Sequence, residues 1–188
     1  MPNKDDMIVD KNKKIIHYQG KFIRFESING WEYITRHNCK GIVIILAVTR
    51  NGKVVLVEQF RPPVGKNVIE FPAGLINDIN PQEDESILTA AKRELLEETG
   101  YEARDMVKLM EGPISGGASA DMVTFVQAIG IKKVAKGGGD ATENIKVHEV
   151  PFKDIDHWLE DMNTEGCLIE PKVYTGLYLL QKQSTRHS

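Results

Sequence analysis

Three glutamates recur at helical spacing near the middle of the chain, namely Glu94, Glu97 and Glu98. Residues at i, i+3 and i+4 share one helix face, so these three carboxylates would repel one another there. A bound cation removes that repulsion, and carboxylate oxygens are ligands that Mg²⁺ and Mn²⁺ prefer. The same spacing also occurs on ordinary solvated helices. The pattern alone therefore fits either a divalent metal site or an acidic surface.

The residues around these glutamates favour the metal site. An arginine precedes the first glutamate, and a glycine and a tyrosine follow the last, in the run Arg93-Glu94-Leu95-Leu96-Glu97-Glu98-Thr99-Gly100-Tyr101. Seven residues separate this run from Glu85. The arrangement resembles the Nudix box. The pattern of that box is a glycine, five residues, a glutamate, seven residues and then Arg-Glu-hydrophobic-x-Glu-Glu-x-Gly-hydrophobic.

One departure from that box lies upstream of Glu85. Ten residues separate it from Gly74, where the box has five. We interpret the difference as a five-residue insertion in the loop. Asn80-Pro81 also resembles an N-cap followed by a first-turn proline, so the insertion could instead lengthen the helix at its start. Either version leaves the glutamate face intact.

A second resemblance covers the residues before the box. Two runs resemble the ADP-ribose and ADP-sugar pyrophosphatase branch of the Nudix hydrolases, Val57-Glu58-Gln59-Phe60-Arg61-Pro62-Pro63 and Ile69-Glu70-Phe71-Pro72-Ala73-Gly74-Leu75-Ile76. Similarity is dense over residues 55–101 and looser from 15 to 180. Where the branch often carries Ser-Pro-Gly, this chain has Ser115-Gly116-Gly117. That difference leaves the sugar preference open.

The resemblance implies an α/β fold, specifically an α/β/α Nudix sandwich with an N-terminal β-hairpin region. It also implies a homodimer with exchanged N-terminal strands. The implied reaction is Mg²⁺-dependent hydrolysis of a nucleoside diphosphate sugar, with Mn²⁺ as an alternative cofactor. ADP-ribose is the expected substrate, giving AMP and ribose 5-phosphate.

The resemblance further implies roles for particular residues. The backbone carbonyl of Ala73 and the side chains of Glu94, Glu97 and Glu98 would hold the divalent ions, which neutralise the pyrophosphate and help orient a water. Glu97 also belongs to the catalytic set. Arg93 joins that set, although a structural pair with Glu85 that positions the loop against the helix is the favoured interpretation for it.

A general base must reach the metal face from elsewhere in the fold. Related enzymes often carry a glutamate on the loop before a late strand, which makes Glu143 the candidate. Asp121 is the alternative. The preceding Gly137-Gly138-Gly139 is interpreted as a flexible loop that could close over substrate. A loop carboxylate without catalytic duty fits the sequence equally well.

Five residues are expected to bind substrate. Phe22 and Trp31 match positions that stack the adenine, partly across the dimer, although aromatics on a hairpin also suit a sheet face. Arg36 and Arg61 match positions near the diphosphate, where a forked guanidinium is suited to phosphate oxygens. Leu75, just after the glycine of the box, is included as a substrate contact.

The elements that must position these residues follow from hydrophobic periodicity and turn signals. Strands are predicted at 13–20, 21–28, 31–37, 41–49, 53–60, 105–111, 121–130 and 145–150. Helices are predicted up to Glu98, at 153–163 and at 171–183. We expect one domain over residues 1–188, comprising a hairpin and dimerisation region to about residue 40, a catalytic fold at about 41–183 and a tail at 184–188.

Composition excludes several other classes. The formal charge of −3 and the scattered basic residues argue against nucleic-acid or membrane partners. Neither a signal-like N-terminus nor a bilayer-length apolar run is present, since the longest such run is Ile42 to Val48. Cys39 and Cys167 suit packing in a reducing compartment. These features predict a cytoplasmic protein.

Two rival functions remain open. One is a Nudix hydrolase of another nucleotide, such as GDP-mannose. The other is a nucleotide-sugar sensor that has lost catalysis. The second is disfavoured because every carboxylate of the box is present.

Overall fold

The computed structural model describes residues 14–77, 85–139 and 144–184. The strands are β1 Lys14–Gln19, β2 Ile23–Ile28, β3 Trp31–Arg36, β4 Ile42–Ala47, β5 Lys53–Arg61, β6 Lys66–Glu70, β7 Ala73–Leu75, β8 Tyr101–Glu102, β9 Asp105–Pro113, β10 Met122–Ile129, β11 Lys132–Lys133, β12 Lys146–Pro151 and β13 Leu168–Ile169. The helices are α1 Ile87–Thr99, α2 Ile155–Thr164 and α3 Pro171–Ser184. None of these helices is long and apolar enough to cross a membrane within the described part of the chain.

Strand β4 is buried along its whole length, as its uninterrupted apolar sequence predicts. It lies inside a four-stranded sheet of order β7-β4-β10-β9 and pairs in parallel with β10. A second sheet has the order β12-β5-β6-β13. Since side chains alternate along a strand, β4 contributes to a separate apolar core on each of its faces.

The first of the two cores lies between β4 and helix α1. There Ala90, Ala91 and Leu95 of the helix pack with Val43 and Ile45 of the strand. The second core contains side chains of both larger sheets and of α2 and α3. Helices therefore flank the sheets on both sides. The predicted α/β/α sandwich is confirmed.

The first three strands form their own antiparallel sheet, ordered β1-β2-β3. Asn29 and Gly30 both have positive φ, 55° and 78°, which is the conformation of the predicted two-residue hairpin turn. Large apolar side chains remain exposed on this sheet and in its β1–β2 turn, namely Ile15, Ile16, Tyr18, Phe22, Ile23, Ile28, Trp31 and Ile34. The predicted N-terminal hairpin region therefore exists, and residues 14–77, 85–139 and 144–184 leave these apolar side chains exposed.

Helix α1 begins at Ile87, and its N-cap is Ser86, whose hydroxyl accepts a hydrogen bond from Thr89 N. The alternative start at Asn80-Pro81, and the insertion itself, lie outside the described residues. At the other end Gly100 is the C-cap with φ 70°, as the box glycine predicts.

One feature differs from the sequence prediction. Five short strands, β6, β7, β8, β11 and β13, are not predicted, because two to five residues are too few to show a hydrophobic periodicity. The glycines at 137–139 lie outside helices and strands, as the predicted loop requires. Gly138 N and Gly139 N donate hydrogen bonds to carbonyls of α1. The flexibility of this loop stays a prediction.

Candidate active site

A cleft of about 680 Å³ opens where α1, β7 and the loop after β5 meet. It is lined by Arg36, Ile42, Ile44, Arg61, Pro62, Pro63, Glu70, Ala73, Gly74, Leu75, Arg93, Glu94, Glu97, Glu98, Ile114, Glu170 and Lys172. Eight of the residues expected to act in the site are among them. They are Arg36, Arg61, Ala73, Leu75, Arg93, Glu94, Glu97 and Glu98.

The carboxylates of α1 differ in burial. Glu94 and Glu98 are buried, whereas the side chain of Glu97 is 46% exposed. A carboxylate oxygen of Glu98 accepts a hydrogen bond of 3.1 Å from Ala73 N. A Cβ at Gly74 would lie 1.9 Å from Glu94 Cδ, so only glycine lets this carboxyl group rest against β7. The short strand therefore supports two of the three glutamates.

Arg93 connects α1 to Glu85, which lies just before the helix, and to Leu75 at the end of β7. Its Nε lies 3.1 Å from Glu85, and its Nη2 donates to the carbonyl oxygen of Leu75 at 3.1 Å. Its Nη1 lies 2.8 Å from Glu94 and 3.2 Å from Glu97. One guanidinium thus contacts three carboxylates and a backbone carbonyl.

Glu85 has further partners of its own. It accepts a hydrogen bond of 3.0 Å from Asn77 N and donates its own N–H to Asn77 Oδ1. The hydrogen bond from Arg93 holds the pKa of Glu85 below its ordinary value, despite burial. Burial acts to lower the pKa of Arg93, but Glu85 and Glu94 together raise it. The pair therefore stays ionised near neutral pH, as expected for a structural pair.

The carboxylate oxygens of Glu94, Glu97 and Glu98 are ligands that suit a hard divalent cation. Among residues 14–77, 85–139 and 144–184, however, no three His, Cys, Asp or Glu side chains stand ready to share one ion. The Arg93 guanidinium contacts both Glu94 and Glu97, and so relieves the repulsion that their spacing predicts. A divalent ion would have to compete with this contact.

The other walls of the cleft carry further cation–carboxylate pairs. Arg61 Nε lies 2.8 Å from the buried Glu70. Burial raises the pKa of Glu70, and Arg61 opposes that rise. Lys172 pairs with Glu170 at the start of α3. The sequence predicts no role for Glu70, Glu170 or Lys172. Glu70 is only one residue of a run that resembles the ADP-sugar branch, and Glu170 and Lys172 belong to no motif.

Arg36 and Asp121 form a third pair beside the cleft. Asp121 is buried, accepts a 3.0 Å hydrogen bond from Arg36 N and contacts Arg36 Nη1 with its other oxygen. Both of its oxygens are therefore engaged by one arginine. This arrangement is typical of a residue that positions a side chain.

Phe22 and Trp31 are not among the residues that line the cleft. Phe22 lies in the bend before β2 and Trp31 begins β3 of the N-terminal sheet, and their side chains are 61% and 64% exposed. Trp31 Nε1 donates to the carbonyl oxygen of Gly117 at 3.1 Å, which ties this sheet to the loop after β9. Glu143 lies outside the described residues.

Residues 40–164 match the family model of the NUDIX domain. This chain belongs to the NUDIX domain family. The Nudix chain is 30% identical over 155 residues to a methanol dehydrogenase activator of Bacillus methanolicus, across 82% of this chain and 78% of that protein. The match to the family confirms the resemblance that the box residues indicate.

Two further relatives are pyrophosphatases. The Nudix chain is 35% identical over 115 residues to an ADP-ribose pyrophosphatase of Bacillus subtilis (strain 168), across 61% of this chain and 60% of that protein. It is 34% identical over 122 residues to a GDP-mannose pyrophosphatase of Yersinia pestis, across 61% and 59%. This chain thus spans about three-fifths of the length of both proteins. The family model and these relatives agree in making it a member of the Nudix family.

A solved structure shares the fold. It is described as an ADP compounds hydrolase, superposes with a TM-score of 0.71 and covers 93% of each chain at 21% identity. At that identity the likeness bears on the fold alone, which agrees with the three layers described above.

Proposed function

We propose that this Nudix enzyme hydrolyses the pyrophosphate bond of a nucleoside diphosphate sugar, with ADP-ribose as substrate and AMP and ribose 5-phosphate as products. One observation carries the proposal. A single cleft gathers the box glutamates of α1 with Arg36 and Arg61, which the ADP-sugar branch places near the diphosphate. The name of the Bacillus subtilis relative supports the same substrate.

The charges in the cleft explain why a divalent ion is needed. Its lining holds five carboxylates against four basic side chains, so the protein alone offers a pyrophosphate little net attraction. Glu94, Glu97, Glu98 and the backbone of Ala73 would hold Mg²⁺, or Mn²⁺ in its place. The bound ion supplies charge neutralisation of the phosphates and a more acidic water.

The arginines on the opposite walls bind and orient the diphosphate. Arg61 precedes Pro62-Pro63, whose rings restrict the backbone there. Its Nε donates a hydrogen bond to the buried Glu70, which holds the guanidinium in position. Asp121 positions Arg36 in the same manner. Leu75 supplies an apolar contact beside the metal face.

Proton removal from the attacking water is assigned to Glu143. Asp121, the alternative base, is less suited to this role because both of its oxygens contact Arg36. Glu143 remains the residue to test.

The enzyme is proposed to act as a homodimer, in which Phe22 and Trp31 stack the adenine. The N-terminal sheet and its β1–β2 turn expose eight large apolar side chains, a surface that a second copy would cover. We place the enzyme in the cytoplasm, where the thiols of Cys39 and Cys167, which form no disulfide, would remain reduced. Neither nucleic acid nor a membrane is among its proposed partners.

Hydrolysis of GDP-mannose is the second candidate, because the name of the Yersinia pestis relative favours it. One assay separates the candidates. The protein is incubated with Mg²⁺ and each of ADP-ribose, other ADP-sugars, GDP-mannose, dinucleotides and nucleoside triphosphates, and the products are identified by mass. We expect AMP and ribose 5-phosphate at the highest kcat/KM. Faster release of GMP would favour the second candidate, and no product from any substrate would support a silent sensor.

A further inference from the structure

The carboxyl-terminal end of α1 lies against residues 133–139, which we call the glycine segment. Gly138 N donates to the carbonyl oxygen of Glu98 at 2.8 Å, and Gly139 N donates to that of Glu97 at 3.1 Å. Lys133 Nζ donates to the carbonyl oxygen of Thr99 at 2.6 Å. The helix carbonyls that would otherwise lack partners are thus bonded by one segment.

The fit between the two parts depends on glycine. Gly137, Gly138 and Gly139 have φ values of 73°, 117° and 82°, all in the region that other residues rarely adopt. A Cβ at Gly137 would lie 2.4 Å from the carbonyl carbon of Thr99. A Cβ at Gly100 would lie 2.1 Å from the carbonyl oxygen of Ala135. The two backbones therefore touch along this contact.

The position of this contact gives it a functional meaning. Three glutamates crowd the last two turns of α1, where the helix dipole already contributes negative charge and no basic residue lies in the last turn. Backbone N–H groups and the Lys133 ammonium offset that charge from outside the helix. They also fix the backbone of the two residues that carry the Glu97 and Glu98 carboxylates.

We propose that the glycine segment is a positioning element that holds the last turn of α1 in the arrangement that binds the divalent ions. This inference rests on the proposed metal site. It assigns the glycines to the metal helix, where they act through backbone contacts and touch neither substrate nor ion. Because linkage is reciprocal, metal binding must in turn tighten the contact between the segment and the helix.

The first test compares two substitutions with equal backbone strain. Gly137 has φ 73°, and Gly52, in the turn before β5, has φ 70° with no atom within 4 Å of an added Cβ. Gly137→Ala therefore adds a clash with α1 that Gly52→Ala lacks. Mn²⁺ affinity is measured by electron paramagnetic resonance without substrate, and folding is checked by circular dichroism.

We expect Gly137→Ala to weaken Mn²⁺ binding about fivefold or more, the lower range of coupling between two sites. Gly52→Ala should bind Mn²⁺ as the wild type does. Equal affinity in a folded Gly137→Ala would overturn the inference while leaving the metal site intact. Absence of Mn²⁺ binding by the wild type would overturn the metal site and this inference with it.

A second measurement covers the case in which Gly137→Ala does not fold. Amide hydrogen exchange of Gly138 and Gly139 in the wild type should slow by several-fold when Mg²⁺ is added. A purely structural contact would exchange at the same rate with and without the ion, and that result would also overturn the inference.

Discussion

The guanidinium of Arg93 lies between Glu85 and Glu94, with Nε 3.1 Å from the first carboxylate and Nη1 2.8 Å from the second. Glu85 belongs to the segment before α1, and Glu94 belongs to the proposed metal-binding face of the helix. The arginine therefore connects the support of the helix to its proposed chemistry. Its loss should affect both.

Arg93→Lys should keep the positive charge but lose the planar guanidinium with its forked N–H donors. A lysine ammonium cannot reproduce the simultaneous contacts with Glu85, Glu94 and the Leu75 carbonyl, so the free energy of unfolding should fall by about 1–3 kcal/mol. Urea denaturation measures this change. A double-mutant cycle with Glu85→Gln should give a coupling of about 1 kcal/mol or more. Additive effects would show that the pair contributes no joint stabilisation.

The acid side of the stability curve should depend on Glu85. Its pKa is lowered in the folded protein, so its stabilising contribution is present above its ordinary value of 4.5 and is lost as pH falls through the folded pKa. Glu85→Gln should flatten the decrease in unfolding free energy below about pH 5. Urea titrations from pH 7 to pH 3 would test this, and an unchanged slope would assign the decrease to other carboxylates.

Glu98→Gln should remove most of the turnover and leave the fold intact. Glutamine keeps an oxygen that can accept the hydrogen bond from Ala73 N, so the substitution changes charge more than packing. We expect kcat to fall by about two to three orders of magnitude, as for loss of one electrostatic contact in a reaction centre. Glu102→Gln, at an exposed carboxylate on β8, is the matched control. Near-wild-type turnover by Glu98→Gln would contradict the metal site.

Glu143→Gln should lower kcat by about two to four orders of magnitude with little change in KM, because a general base acts on the water. The defect should shrink as pH rises, since hydroxide partly replaces the base. Asp121→Asn should instead raise KM, because it frees Arg36. If Asp121→Asn shows the kcat defect and Glu143→Gln does not, the two roles are exchanged.

Tyr18→Asp should convert a homodimer to monomers. Tyr18 is 67% exposed on β1, so a charge there costs one chain little but would be buried against a second copy. Tyr178→Asp on α3, at 61% exposure, is the control and should leave the dimer unchanged. Light scattering at micromolar concentration distinguishes the two. A monomeric wild type with full activity would rule out an adenine site shared between subunits.

Local sequence predicted the parts of the fold that local physics determines. The run in β4 is apolar without interruption, and Asn29-Gly30 suits only a tight turn, so both were predictable. The three box glutamates were placed on one helix, yet their unequal burial could not be foreseen. It depends on β7, whose three residues carry no periodic signal.

The missed residues of the cleft have a similar explanation. Lys172 and Glu170 approach Glu70 because β13 pairs in parallel with β6, with Leu168 opposite Val68. Neither strand was predicted, so nothing in the sequence brought these charges to the cleft. The hydrogen bonds of Gly138 and Gly139 could not be predicted either, because their partners Glu98 and Glu97 lie about 40 residues earlier in the chain.

The parallel pairing of β4 with β10 also constrains how the enzyme folds. Ile42 lies opposite Val123, and the intervening chain contains β7, α1 and most of the cleft. Such a contact closes a long loop before it gains any pairing energy, which makes it slow to form. The metal face should therefore be among the last parts to assemble. A nascent chain that ends before β10 would already contain all the box glutamates. It would still lack the complete sheet that supports them.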